Sequence, residues 1–342
     1  MSIVQSKLQE LEITDNVQLC NENGELRPEA IGWSRHPLHI CAIPKRFGRK
    51  KKWNFWFVTS NEIVVTLAVV SLDYIGLVFF HSVDLATGKK VDRTVQLPFA
   101  KGIQLPDELE GDVLFTHPKL SFSFKQASSH TQLDAEGMGE GGEAFSLALR
   151  AKKREESLHV VIPWDKKRFQ YTSKQAGRAT NGLVTIDDKT HQIEANTAAS
   201  SLDFGRGVWP YQTEWNWTTC SFIHNNKWCG FNFGAGWTDG TGMTENAIMV
   251  GEKVEKISEQ IEFIYDQNDK SKPWLLNSTE SNRIQLMFTP VHIQMKDENY
   301  GLIRSRLEQY IGKYSGKIIT EDGSILQLQD IWGICEEQKA KW

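Results

Sequence analysis

Asp203, Arg206, Asp239 and Glu245 are the residues whose types and settings fit proton-transfer chemistry. Asp203 stands three residues before an arginine set between two glycines, in "DFGRGVWPY". A carboxyl enclosed by apolar walls has its pKa raised and can move a proton near neutral pH. A guanidinium beside it would stabilise developing negative charge. The competing role for Arg206 is structural. A buried guanidinium keeps its charge and needs carbonyls or a carboxylate around it, so it could instead pin a loop through Asp203. Asp239 lies in "WTDGTG", where Asp-Gly and Thr-Gly also make turns. Glu245 and Asn246 open the strand-like "ENAIMV", either as edge protectors or as pocket residues.

The surroundings of these four residues are aromatic. Three Trp and a Tyr fall between Trp209 and Trp217. After Pro210 an extended chain, with its period of two, sets Tyr211, Thr213, Trp215 and Trp217 on one face and Gln212, Glu214 and Asn216 on the other. Either face could line a cavity. In "GFNFGAGWTDGTGMTEN" the same alternation sets Asn232 opposite Phe231 and Phe233, and Trp237 and Thr238 follow. "GWSRHPL" adds Arg35 and His36 to the candidate ligand contacts.

Other chemistries find less support. His36 and His39 are three apart with a proline between, which does not suit a helical pair of metal ligands. The chain has no HExxH, GxSxG, P-loop or GxGxxG, so neither a metal nor a cofactor is expected. His159 alternates with apolar residues in "SLHVVIP" and reads as a core histidine. The basic run "KRFGRKKKW" leads directly into a strand and reads as a solvated loop. With a net charge of −4, no nucleic-acid partner is expected. The five cysteines are scattered without CxxC spacing and read as reduced thiols of a cytoplasmic protein. The N-terminus has no long apolar core, and the longest apolar runs fall short of a membrane span.

The elements that must position these residues are strands. β-branched and aromatic runs such as "EIVVTLAVV", "GLVFFHSVDL" and "RIQLMFTPVHIQM" are bounded by Gly, Asp, Asn or Pro. Only the first dozen residues read as mildly helical. "DAEGMGEGGEAF" reads as a mobile connection. The fold class expected is all-β, with two lipocalin- or calycin-like barrel or sandwich modules side by side. A faint repeat supports two modules. "WNF" at Trp53 and "WNW" at Trp215 are each followed by strand-like runs and then by "GKKV" (Gly88) or "GEKV" (Gly251), at an offset of 162 to 163 residues. The expected division is an N-terminal β-module over 1–190 and a C-terminal β-module over 191–342.

"GWSRHPL", "ESLHVVIPWDKKRFQYTSKQ", "DFGRGVWPYQTEWNW", "WTDGTGMTENAIMV" and "GKYSGKIITEDGSILQLQDIWGICEE" together resemble the bacterial domain of unknown function 2804 family, from about Gly32 onward. More remotely, the two-module plan is similar to double calycin proteins, such as carotenoid hydratases and tocopherol cyclases. That resemblance implies apolar substrates held between two barrels, and it carries over no acid–base residue. The expected function is binding of a hydrophobic small molecule in a β-barrel cavity, with lyase, isomerase or cyclase chemistry. A non-catalytic lipid or metabolite carrier is the alternative, and a carbohydrate-active protein stands behind both.

Overall fold

A computed structural model describes residues 9–299, 301 and 303–342. Among them the only helical element is a 3-10 turn, Pro28–Ala30. The mildly helical expectation falls largely on residues 1–8, outside those described, and residues 9–12 are not helical.

The first half contains β1 (Val17–Gln18), β2 (Trp33–Ser34), β3 (His39–Ile40), β4 (Lys50–Thr59), β5 (Ile63–Ser71), β6 (Ile75–Asp84), β7 (Lys90–Pro98), β8 (Val113–His117), β9 (Leu120–Gln126), β10 (His130–Met138), β11 (Ala144–Lys152), β12 (Leu158–Asp165), β13 (Arg168–Ile186), β14 (Lys189–Ile193) and β15 (Ala199–Val208). The second half contains β16 (Gln212–His224), β17 (Lys227–Ala235), β18 (Ala247–Val250), β19 (Lys253–Lys256), β20 (Ile261–Ile264), β21 (Trp274–Ser278), β22 (Ile284–Asn299), β23 (Arg304–Ile319) and β24 (Ile325–Lys341).

Two large, curled, half-barrel sheets result. The first runs β7-β6-β5-β4-β15-β13-β11-β10-β9-β8, and the second runs β19-β18-β17-β16-β24-β23-β22-β21-β20. The plan is the same in both. A four-strand meander (β4 to β7, β16 to β19) is joined through its first strand to the last strand of its module (β15, β24), and the remaining strands follow. The "WN" and "G-K-V" echoes in the sequence mark equivalent places, the opening strand of each meander and its third hairpin. The chain changes sheet between Val208 and Gln212, so residues 199–208 belong by hydrogen bonding to the first sheet.

"DAEGMGEGGEAF" is not a loose connection. It completes β10, turns tightly at Gly139–Gly142 and opens β11, with the Arg93 guanidinium donating to the carbonyls of Met138 and Gly139. Glycine tolerates the turn (Gly142 φ +94°), and the flanking registered pairs do the rest.

Each module has its own packed interior. Trp56, Leu67, Val69, Val78 and Phe80 lie in the first core, and Phe231, Phe233, Tyr310, Tyr314 and Cys335 lie in the second. Strand alternation turns the intervening residues outward, Phe55, Ala68, Val70, Leu77 and Phe79 on one side and Trp215, Trp217 and Glu336 on the other. These outward faces meet. β5 is therefore apolar on both faces, which is why "IVVTLAVV" reads as a continuous run rather than an alternation.

Candidate active site between the modules

A cavity of about 630 Å³ lies between the two sheets, not in the lumen of either barrel. That size is within the range of small-molecule pockets. The barrel interiors are filled by their own side chains, so the expectation of a lumen site is corrected: the space is left where two curved outer faces cannot close completely. Trp53, Trp209, Trp215, Trp217, Trp237 and Trp342 supply most of its aromatic wall. Trp209 stacks on Trp237 at 5.0 Å and meets Trp164 and Trp215 at 4.9 and 5.5 Å.

At one end of the cavity sits a buried charge cluster. Lys174, from β13, reaches Asp203 of β15 at 2.7 Å and Glu245 at 2.8 Å. The indole N–H of Trp53 and the Thr172 hydroxyl donate to the second Asp203 oxygen at 3.1 and 3.2 Å. The Trp237 indole donates to Glu245 at 2.6 Å. Burial opposes the Lys174 charge, but the two carboxylates outweigh it and hold the ammonium above its ordinary value. Burial in turn outweighs Lys174 at Glu245 and pushes that carboxyl up.

Facing this cluster is Glu336 of β24. It accepts from the Trp215 indole at 2.9 Å and from the Gln309 amide at 2.9 Å. Burial raises its pKa to about 7, against the lowering effect of those two donors, with nearby Asp203 adding to the rise. One lysine thus pairs with two of three enclosed carboxyls, and the third, Glu336, has hydrogen-bond donors but no cation of its own.

The sequence candidates divide by position. Asp203, Glu245, Trp209, Trp215, Trp217 and Trp237 line the cavity. The strand from Gln212 resolves its two-face alternative with the aromatic face inward. Asn216 points the other way, donating to Tyr265 and to the Glu336 carbonyl. Tyr211 is exposed, while Glu214 and Asp239 flank a separate shallow groove. Asp239 accepts from the Gly236 amide, the turn role open to it in the sequence. Asn232 touches no cavity space but accepts from Trp217 at 2.8 Å and donates to the Glu245 carbonyl at 2.9 Å, so it positions both. Asn246 holds Gly234 and the Glu259 carbonyl, and Thr238 is buried in the loop before Thr241. Arg35 ties Glu12, Glu156 and the Val254 carbonyl together, and His36 is solvent-exposed.

Arg206 lies outside the cavity wall and is fully buried. Its guanidinium donates to the carbonyls of Pro106, Trp53 and Gly205 and to Asn54 Oδ1, all at 2.7 to 2.9 Å. Burial lowers its pKa to about 9. The flanking glycines serve packing. A Cβ at Gly205 would overlap the Trp53 ring and Gln170, and one at Gly207 would overlap Gln170.

Lys174, Glu336 and Gln309 escaped the sequence reading. The alternation of Gln170 and Thr172 continues to Lys174, which was a usable signal. For Glu336 the signal was the repeat, because Glu336 stands opposite Trp217 as Asp203 stands opposite Phe55.

Two curled, pseudo-equivalent half-barrels side by side make a double calycin-like fold. Solved structures to which the chain is similar include kievitone hydratase from Nectria haematococca (9% identity over 86% of this chain and 89% of that one, TM-score 0.46). Others are a candidate AttH from Nitrosomonas europaea (11%, 86% and 95%, TM-score 0.52) and CghA with Sch210972 (8%, 88% and 90%, TM-score 0.44). At these identities the likeness is one of fold, and the Nitrosomonas europaea structure carries it. The chain belongs to the domain of unknown function family DUF2804, whose profile matches residues 10–342. No functionally curated protein matches it in sequence.

Proposed function

We propose that this protein is an enzyme that moves a proton on a hydrophobic small molecule bound between its two modules, in a reaction of the lyase, isomerase or cyclase type. The observation that carries the reading is Glu336, a buried carboxyl with a pKa of about 7 at an indole-walled cavity, opposite an Asp203–Lys174–Glu245 cluster. A carboxyl with that pKa is populated in both protonation states at neutral pH, which suits general acid–base work. Glu336 gives or takes the proton. Lys174 offers an ammonium to an oxygen that gains negative charge, and its two carboxylates hold that ammonium in place. The indoles exclude water and present π-faces to carbon centres that gain positive charge.

A carrier is the second reading, and one observation favours it. Every carboxyl oxygen of Asp203, Glu245 and Glu336 has a hydrogen-bond or ion-pair partner within the protein. Native mass spectrometry of freshly purified protein identifies any bound molecule, which is then incubated with the protein and analysed again. A product differing by a shifted double bond, a closed ring or one water supports the enzyme. A molecule recovered unchanged supports the carrier.

A further inference from the structure

One registered row runs the length of the cavity wall built by the first module. Lys174 pairs across the strands with Asp203, Asp203 with Phe55, Phe55 with Ala68, Ala68 with Phe79 and Phe79 with Thr94. All six residues line the cavity. A second row beside it runs Trp53, Val70, Leu77, Gln96. The first row is polar at both ends and apolar across the middle, and the second runs from the Trp53 indole over two aliphatic residues to the Gln96 amide. From Asp203 to Thr94 there are four inter-strand steps of about 4.8 Å, on the order of 19 Å along the sheet. Ala68, between two phenylalanines, is the smallest side chain of the row.

At the far end side chains of the two modules bridge across. Gln294, Lys296 and Glu298 of β22 meet Asp92, Thr94 and Gln96 of β7 at 2.7, 2.7 and 2.5 Å. Lys296 donates to the neutral Thr94 hydroxyl and lies over the Phe79 ring at 4.7 Å, and it makes no ion pair among the described residues. The registered pair Arg304 and Lys341 adds two more cations to the cavity lining, where Glu298 is the acid beside them; Asp92 and Glu140 act on Lys296 from outside the lining, and Arg304 pairs with Asp297 at 3.5 Å. The near end has the opposite balance, three carboxyls to one ammonium.

We infer that the cavity takes an elongated apolar molecule with a carboxylate at the Lys296 end and a neutral hydroxyl or carbonyl at the Lys174 end. The substrate class rests on the cavity being the ligand site, as in the proposed function. A second carboxylate at the near end would meet Asp203 and Glu245 with no free cation to offset them. A neutral oxygen there accepts from Lys174 or meets the proton of Glu336. The apolar middle sets the length of the molecule and offers no polar partner to a group placed halfway.

The test is a titration of the cavity indoles' fluorescence with four fourteen-carbon probes: ω-hydroxytetradecanoic acid, tetradecanoic acid, tetradecanol and tetradecanedioic acid. The hydroxy acid is expected to bind at least tenfold tighter than tetradecanol and than the diacid. Lys296→Met is expected to bring the hydroxy acid to the affinity of tetradecanol, and Lys296→Arg to restore it. Asp203→Asn with Glu245→Gln is expected to admit the diacid. Equal or tighter binding of the diacid by the native protein overturns the assignment, as does a Lys296→Met variant with unchanged preferences, or binding of none of the probes. Probes that bind in the expected order while the native protein moves no proton leave the substrate class standing and remove only the catalytic reading.

Discussion

Trp53 and Trp215 occupy equivalent places in the two modules, and each donates its indole N–H to a carboxyl on the strand that closes its sheet, Asp203 at 3.1 Å and Glu336 at 2.9 Å. The equivalence extends one strand further. Lys174 is the registered neighbour of Asp203, and Gln309 is that of Glu336. Two copies of one arrangement, indole, carboxyl and N–H donor on adjacent strands, therefore face each other across the cavity. They differ in the carboxyl, aspartate against glutamate, and in the N–H donor. Lysine in the first copy supplies a counter-charge, while glutamine in the second supplies a hydrogen bond without one. That difference leaves Glu336 as the carboxyl with its pKa at about 7.

Stability should record this proton. The pKa of Glu336 in the folded protein, about 7, lies above its ordinary value of 4.5. The folded state therefore binds a proton that the unfolded chain gives up between those values. The stabilisation is complete below the lower value and is lost as pH rises through about 7, on the order of 3 kcal/mol in all. Thermal unfolding from pH 5 to 8 should show this decline, and Glu336→Gln should flatten it.

Lys174→Met should leave two buried carboxylates without their cation. The expected loss is roughly 3–5 kcal/mol in denaturant unfolding at neutral pH. Adding Asp203→Asn and Glu245→Gln in the same chain should recover most of it, because the cost lies in the stranded charges rather than in the missing side chain.

Trp215→Phe should raise the Glu336 midpoint further, because the indole N–H favours the ionised carboxyl. Trp53→Phe should leave that midpoint where it is, since its partner is Asp203. Infrared titration of the carboxyl band in the two variants separates them.

Arg206→Met should cost on the order of 3 kcal/mol or more, since it orphans buried carbonyls of Pro106, Trp53 and Gly205. Ligand binding by the protein that still folds should be nearly unchanged. Gly234→Ala should do the reverse. Its Cβ would overlap the Glu245 carboxylate, so binding should weaken more than tenfold, with a stability loss of only about 1–3 kcal/mol. Denaturant unfolding and ligand titration of both variants check the pair.

The all-β class and the division of residues 211–217 into an aromatic and a polar face were legible in the sequence because each depends on local alternation, but which face turns inward was not. The boundary near 190 was not: β15 looks like the start of a new segment, yet its partners β4 and β13 are fixed by long-range pairing. Arg206 suggested chemistry through its glycine neighbours, and those glycines instead make room for Trp53 and Gln170. Lys174 and Glu336 lie 162 residues apart in sequence and meet across an inter-module space. No local pattern announces a cavity formed by two outer faces.

The central claim is that Glu336 moves a proton on the bound molecule. Its most direct test is deuterium incorporation from D₂O into the co-purifying molecule, comparing the native protein with Glu336→Gln. Deuterium at a single carbon with the native protein, and at least a hundredfold slower incorporation with the variant, is the predicted result. Equal incorporation by both, or none with the native protein, would contradict it.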